Sequence, residues 1–365
     1  MRWLTEEDIE HVAVGATVLG TGGGGDPYIG KMMALSAIKK YGPVQVITLD
    51  ELTDDQWVLP ASGMGSPSVL VEKIPSFEQL EAPLKAFENA CGRKTDVVMP
   101  IEIGGVNSLI PVAVAAMNNI PILDGDAMGR AFPEAQMVTF HLDGLKPELV
   151  TIGDEQGNVV TIQPADGYWS EKLSRNVTIS MGGSSIVCDY GITGKQAKES
   201  VIPGTLSLAQ EIGTLLKEQR QAEVHPITQM VKKLNGYLLF KGKAMLIQRK
   251  IEGGFTRGEA NFDGIDFFQG KGCKLHFQNE HLLAEVEGKP VAMAPDLIAV
   301  LDEETGMPIT TEGLKYGARV AIVAFPANEK WRTDIGIKTA GPRYFKYPYD
   351  YIPLETLVKE QRAND

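Results

Sequence analysis

Leu19-Gly20-Thr21-Gly22-Gly23-Gly24-Gly25-Asp26-Pro27-Tyr28-Ile29-Gly30 is the stretch on which the reading of the chain turns. Glycine costs roughly 0.5–1 kcal/mol more than alanine to order in regular structure, so four in succession mark backbone that needs positive φ or close approach by another group. The flanks decide what kind of loop this is. Upstream, Thr5 followed by Glu6, Glu7 and Asp8 has the form of a helix N-cap with an acidic first turn, and Ile9, Val12, Ala13, Ala16 and Leu19 recur at helical spacing. Downstream, Asp26 stands as an N-cap and Pro27 as the first helical residue, with Ile29, Met32, Met33 and Ala37 as apolar positions. The spacing predicts a loop from helix to helix.

That context argues against two nucleotide-binding readings. Gly20 to Gly25 fits the dinucleotide pattern, but that pattern follows a strand. Gly25 to Lys31 fits GxxxxGK, yet Met32 stands where a Ser or Thr hydroxyl would hold magnesium, and Pro27 removes an amide that should face phosphate. Neither NAD nor ATP is expected. Two readings stay open: Gly23, Gly24, Gly25 and Asp26 hold an anionic or carbonyl oxygen of a substrate, or the run is a tight turn with a plain Asp26 cap.

The chain of 365 residues is 43% hydrophobic and 22% charged, a globular composition long enough for about two domains. No apolar run approaches the ~20 residues needed to cross a bilayer, and the amino terminus enters an acidic helix start without the apolar core of a secretory signal. Cys91, Cys188 and Cys273 are odd in number, far apart and in no CxxC pair, which argues against disulfides and thiolate metal sites. A cytoplasmic protein is expected. With a net charge of −12 and no basic stripe interleaved with aromatics, nucleic acid is not an expected partner.

Beyond the glycine run, strand-like Val44 to Leu49, Trp57 to Ala61, Asp96 to Ile101 and Ile120 to Leu123 alternate with helical segments starting at Ser76 and Ser108. Such alternation predicts an α/β domain with a mainly parallel sheet, whose strand ends open on one edge where ligands bind. Three strand-end loops should converge there: Gly63 to Ser66, Glu102 to Asn107, and Asp124 to Arg130. Helical segments follow, including an amphipathic stretch from Thr205 to Gln221. From about Tyr237, short strands separated by Gly, Asp, Asn and Pro have the spacing of a β-sandwich or barrel. The expected layout is an α/β domain over 1–165, a helical connection over 166–235, a β-rich domain over 236–330, and a tail over 331–365 packing back on the first domain. Five aromatics between Tyr344 and Tyr351 suit that tail to packing or to the rim of a pocket.

The glycine run closed by Asp26, the Glu102-Ile103-Gly104-Gly105-Val106-Asn107 loop, the stretch Ile122 to Glu134, Gln278-Asn279-Glu280 and Pro295-Asp296-Leu297-Ile298 together resemble the S-methyl thiohydantoin desulfurase family. The similarity runs over most of the chain. It implies an α/β domain joined to a β-rich domain, and hydrolysis of a small S-methylated thiohydantoin to the hydantoin with loss of methanethiol. Its members long carried only the label of proteins found beside hydantoinase and oxoprolinase subunits. A non-catalytic partner subunit of such an assembly is therefore the alternative, and a homo-oligomer is expected for the enzyme.

Glu102, Asp124 and Asp126 are the candidate catalytic carboxylates, because each directly follows a strand beside a glycine, where a side chain can face a ligand. Asp124 or Glu102 would act as base with Asp126 as its partner; loop ion pairs and turn-forming Asp are the structural alternatives. Arg130 is a candidate for a substrate carbonyl or carboxylate, or a helical ion pair with Glu134. Asn107 is a candidate substrate contact or an N-cap. A divalent ion held by Asp26, Glu102, Asp124 and Asp126 is open, since oxygen ligands can come from scattered loops. His141, His276 and His281 lack zinc-ligand spacing, and Cys188 has no sequence-local base.

Overall fold

The computed structural model describes residues 2–66, 69, 72, 73, 76–218 and 224–364. Thr5 and Asp8 form the capping box that starts helix Glu6–Leu19, and Asp26 accepts from the Tyr28 amide at 2.8 Å to start helix Pro27–Tyr41, so the glycines do join helix to helix. The amphipathic stretch becomes helix Thr205–Glu218, while residues 219–221 lie outside the described residues.

The first sheet runs in the order Arg2–Leu4, Val44–Ile47, Ile122–Leu123, Val97–Pro100, Trp57–Gly65, Ser184–Cys188, Val150–Gly153, Val159–Ile162. The four strands from Val44–Ile47 to Trp57–Gly65 are parallel to one another, and both flanks pair antiparallel. The sheet is therefore mixed. Its antiparallel side exists because Ser184–Cys188 inserts between Trp57–Gly65 and Val150–Gly153, so the 166–235 stretch supplies a buried strand as well as helices. In the parallel part all carboxyl ends lie on one edge, which brings Glu102 and the Ser62 to Ser66 segment together.

The second sheet is antiparallel throughout. Its eight strands run Lys289–Met293, Glu280–Val286, Gly272–Gln278, Phe255–Gly264, Tyr237–Glu252, Arg319–Phe325, Leu297–Asp302, Pro308–Ile309. It curls until Leu297–Asp302 packs against Glu280–Val286, around a core that includes Phe240, Phe262, Leu275 and Ile322. The tail straddles the two parts. Tyr344 and Phe345 pack on the first core, whereas Tyr347, Tyr349 and Tyr351 pack with Leu283, Met293 and Leu357 of the second.

Helices Glu6–Leu19 and Thr205–Glu218 touch backbone to backbone. A Cβ on Gly15 would lie 1.8 Å from the Ala209 carbonyl oxygen, and one on Gly213 would lie 1.9 Å from that of His11. Neither obstacle is a side-chain end that can swing away. Gly15→Ala should therefore lower stability by about 1–3 kcal/mol through overpacking, whereas Gly157→Ala, with open space around it and a φ of 84°, meets only the strain of a left-handed backbone. Urea midpoints of both variants check the difference, and an unchanged midpoint for Gly15→Ala would mean that the helices can part at no cost.

Candidate active site

Thr21, Gly22, Gly24 and Gly25 all have positive φ, from 51° to 89°, so the loop doubles back on itself directly after the first helix. What presses on it comes from two directions. A Cβ on Gly24 would stand 2.6 Å from the Gly104 Cα, while the Val106 and Asn107 amides donate to the Gly24 carbonyl at 2.8 and 3.3 Å. From the β-rich domain, a Cβ on Gly23 would collide with the Glu280 carboxyl at 1.9 Å, and one on Gly22 with the His281 ring at 2.4 Å. The glycines thus leave room for Glu280 and His281. Backbone bonds seal the contact: the His281 amide donates to the Thr21 carbonyl at 2.7 Å and the Thr311 amide to that of Gly22 at 2.8 Å.

Arg130 fastens the same junction from beneath. Its side chain is wholly buried, and all five N–H groups have acceptors: Ala131 O at 2.9 Å, Pro295 O at 3.0 Å, Asp296 O at 2.8 Å, Thr21 Oγ1 at 2.8 Å and His281 O at 3.1 Å. Burial pulls it down to about 10, so it stays charged at neutral pH. The guanidinium also stacks on Phe132, 4.4 Å from the ring centroid.

Two buried carboxyls feel the charge of this cation. Glu102 accepts from Asn107 Nδ2 at 2.5 Å and from the Phe132 amide at 3.2 Å, and burial pushes it up to about 7 against those two donors. Asn107 is held in turn by the Gly63 amide, which donates to its Oδ1 at 2.8 Å. Glu280 accepts from the Gly24 amide at 3.2 Å through Oε1, while Oε2 has no partner among the described residues. Burial and the charge of Glu102 drive Glu280 well above the ordinary carboxylate range, with Arg130 opposing. Both carboxyls line one cleft, together with Gly24, Gly25, Ser62 and Asn107.

The other expected site residues lie elsewhere. Asp124 accepts from the Ser207 amide at 3.0 Å and from its hydroxyl, at the start of helix Thr205–Glu218, with Arg2 3.6 Å away. Asp126 is wholly buried, and its Oδ2 takes the amides of Ile103, Met128 and Gly129 at 2.8–3.0 Å, which shapes the loop. Asp26 caps its helix; Gly23 stands behind Glu280, and Arg130 spends its donors on the protein. Among the described residues no group of three or more His, Cys, Asp and Glu side chains is arranged to hold a metal ion. His281 is buried, with Nδ1 3.0 Å from the Ile298 carbonyl oxygen, and is pushed down to about 4, hence neutral. Burial raises the Cys188 thiol far above neutrality, so it is unreactive. Sequence reasoning overlooked Glu280 as a site residue, along with Asp189 and Arg175 in the cleft wall. The signal for Glu280 was its place in Gln278-Asn279-Glu280, where Asn279 takes a left-handed φ of 58°.

Models of known families match the chain in two adjoining pieces. One described as the S-Me-THD-like N-terminal domain covers residues 7–164, and one described as the S-Me-THD-like C-terminal domain covers 165–354. The first sheet reaches across that boundary to take Ser184–Cys188. A crystal structure of a protein from Chromobacterium violaceum has the same fold, with a TM-score of 0.81 and 23% identity over 97% of this chain and 100% of that one. No curated protein matches the chain. Among the described residues no helix is long and apolar enough to cross a membrane.

The buried acids make stability depend on pH. Glu102, Asp126 and Asp189 are each raised to about 7, so their contribution is full below the pKa of the unfolded chain, near 4, and is lost as pH climbs through 7. The thermal midpoint should fall between pH 5 and pH 8, and Glu102→Gln should shrink that fall. A midpoint that rises over this range would show that these groups ionise freely in the fold.

Proposed function

Because the chain belongs to the S-Me-THD-like family across both of its domains, we propose that it hydrolyses a small five-membered cyclic (thio)hydantoin-like compound, with S-methyl thiohydantoin as the reference substrate and hydantoin and methanethiol as products. The observation that carries this reading is the pair Glu102 and Glu280, from different domains, buried on one cleft beside the Gly24 and Gly25 backbone. Two like charges so placed do not both ionise readily, so one carboxyl is held protonated near neutral pH. Glu102, whose two donors favour the anion, is the base. Glu280, higher and with Oε2 unpaired, is the acid.

The carbon that bears the S-methyl group lies between two ring nitrogens. Glu280 gives its proton to one of these nitrogens, which makes that carbon more electrophilic, while Glu102 takes a proton from the attacking water. A carbon–oxygen bond forms. On collapse the carbon–sulfur bond breaks, methanethiolate receives the proton from Glu102, and the new hydroxyl returns its proton to Glu280 as the carbonyl forms. Both carboxyls are then reset. Asn107 keeps Glu102 aimed, and the Gly25 amide, which donates to no group among the described residues, is a donor for a ring oxygen.

The test is turnover of S-methyl thiohydantoin by the purified protein, with hydantoin and methanethiol followed by chromatography. Glu102→Gln and Glu280→Gln should each lower kcat by about 10²–10⁴ while the protein stays folded, with a thermal midpoint no lower than that of the native protein at the assay pH. The profile of kcat/KM should be a bell, rising as Glu102 ionises near pH 7 and falling as Glu280 loses its proton. No product from a set of ring-substituted thiohydantoins would reject the reading, and full activity in Glu102→Gln would remove its role as base.

A further inference from the structure

The proposed chemistry leaves one buried carboxyl in the cleft wall unused. Asp189 follows strand Ser184–Cys188 and lines the cleft with Glu102 and Glu280, yet it is only 4% exposed. Its Oδ1 has no hydrogen-bond partner, and no Lys, Arg or His among the described residues forms an ion pair with it. Packing alone fixes its place: Tyr190 behind it is buried with a left-handed φ of 45°, and a Cβ on Gly191 would meet Trp57 at 2.7 Å and Phe87 at 2.8 Å. A carboxylate buried without a partner is disfavoured unless a proton neutralises it or a cation from outside the chain pairs with it.

The rest of the wall says what that partner is. Arg175 is its cation, and it is paired with Glu171, which takes Nε at 2.6 Å and Nη2 at 3.1 Å; the Pro133 carbonyl also takes Nη2 at 3.1 Å, the Gly254 carbonyl takes Nη1 at 3.4 Å, and the guanidinium stacks 4.1 Å from the Phe255 ring centroid. Glu134 is already bound by Tyr344 at 2.5 Å and Gln136 at 2.6 Å. Among the described lining residues, acidic groups outnumber the one cation, which is paired with Glu171, so the wall favours a positive charge over a substrate carboxylate.

We propose that Asp189 is a specificity residue that receives the cationic nitrogen of a ring substituent, so that the preferred substrate is a (thio)hydantoin bearing an amine or guanidine side chain. This rests on the hydrolase reading above. Burial and the charge of Glu171 push Asp189 up to about 7, and a bound cation would bring it back towards the ordinary carboxylate range.

The experiment compares S-methyl thiohydantoins whose side chains of equal length end in ammonium, methyl or carboxylate, on the native protein, Asp189→Asn and Asp189→Ser. Native protein should favour ammonium over methyl by about tenfold or more in kcat/KM, with the difference in KM, and should favour carboxylate least. In both variants the ammonium-to-methyl ratio should fall to about one. An even ratio in native protein, a preference kept in the variants, or failure of both variants to fold would overturn the assignment. Calorimetric titration with the matching hydantoins separates this from the hydrolase reading. If no thiohydantoin is turned over, yet the ammonium-bearing hydantoin binds about tenfold more tightly to native protein than to Asp189→Asn, the site stands and the reaction falls.

Discussion

A single buried guanidinium holds the two halves of this molecule in register. Arg130 comes from the first domain, and its five N–H groups end on Ala131 and Thr21 of that domain and on His281, Pro295 and Asp296 of the other. Every acceptor is a carbonyl or hydroxyl oxygen. Because none is a carboxylate oxygen, the cation stabilises Glu102 and Glu280 through space without occupying them. A buried charge with no donor left over is strongly held, since removing it would orphan acceptors on both sides of the junction.

The glycine run is the steric complement of that junction. Its left-handed turns and missing side chains let Glu280 and His281 enter where any Cβ would collide, and let Gly24 back onto Gly104. The consequence for chemistry is proximity of two acids that arrive from sequence positions far apart. Each is unfavourable in its ionised form by burial, and the charge of Glu102 raises Glu280 further, which sets the two acids apart in proton affinity, the condition for an acid and a base to work together near neutral pH.

Much of this was legible in the sequence, for local reasons. Thr5, Asp26 and Pro27 mark helix starts whichever way the chain folds, so the helix-to-helix loop and its departure from nucleotide motifs follow from neighbours alone. Strand-end loops in a parallel sheet gather on one edge by topology, which places Glu102 and Asn107 at a cleft. Asp124 and Glu102 look equivalent in sequence, each a carboxylate after a strand. Their fates are set by partners far along the chain: Ser207 takes Asp124 as a helix cap, while Glu102 finds only Asn107 and the Phe132 amide. Arg130 reads as a free planar donor until the second domain supplies its acceptors. Glu280 and Asp189 were hidden for the same reason, since nothing local says which strand end meets the glycines. The antiparallel flank depends on Ser184–Cys188 inserting into a sheet begun far upstream, which a linear pattern does not encode.

The central claim is that Glu102 and Glu280 form a coupled pair with one proton between them near neutral pH. Carbon-13 NMR of protein labelled at the glutamate side-chain carboxyl, with Glu102→Gln and Glu280→Gln spectra to assign the two resonances, reads this directly. One carboxyl should titrate near pH 7 and a second remain protonated above it, with the higher value falling when Glu102 is replaced. Two resonances that titrate independently near pH 4 would contradict it.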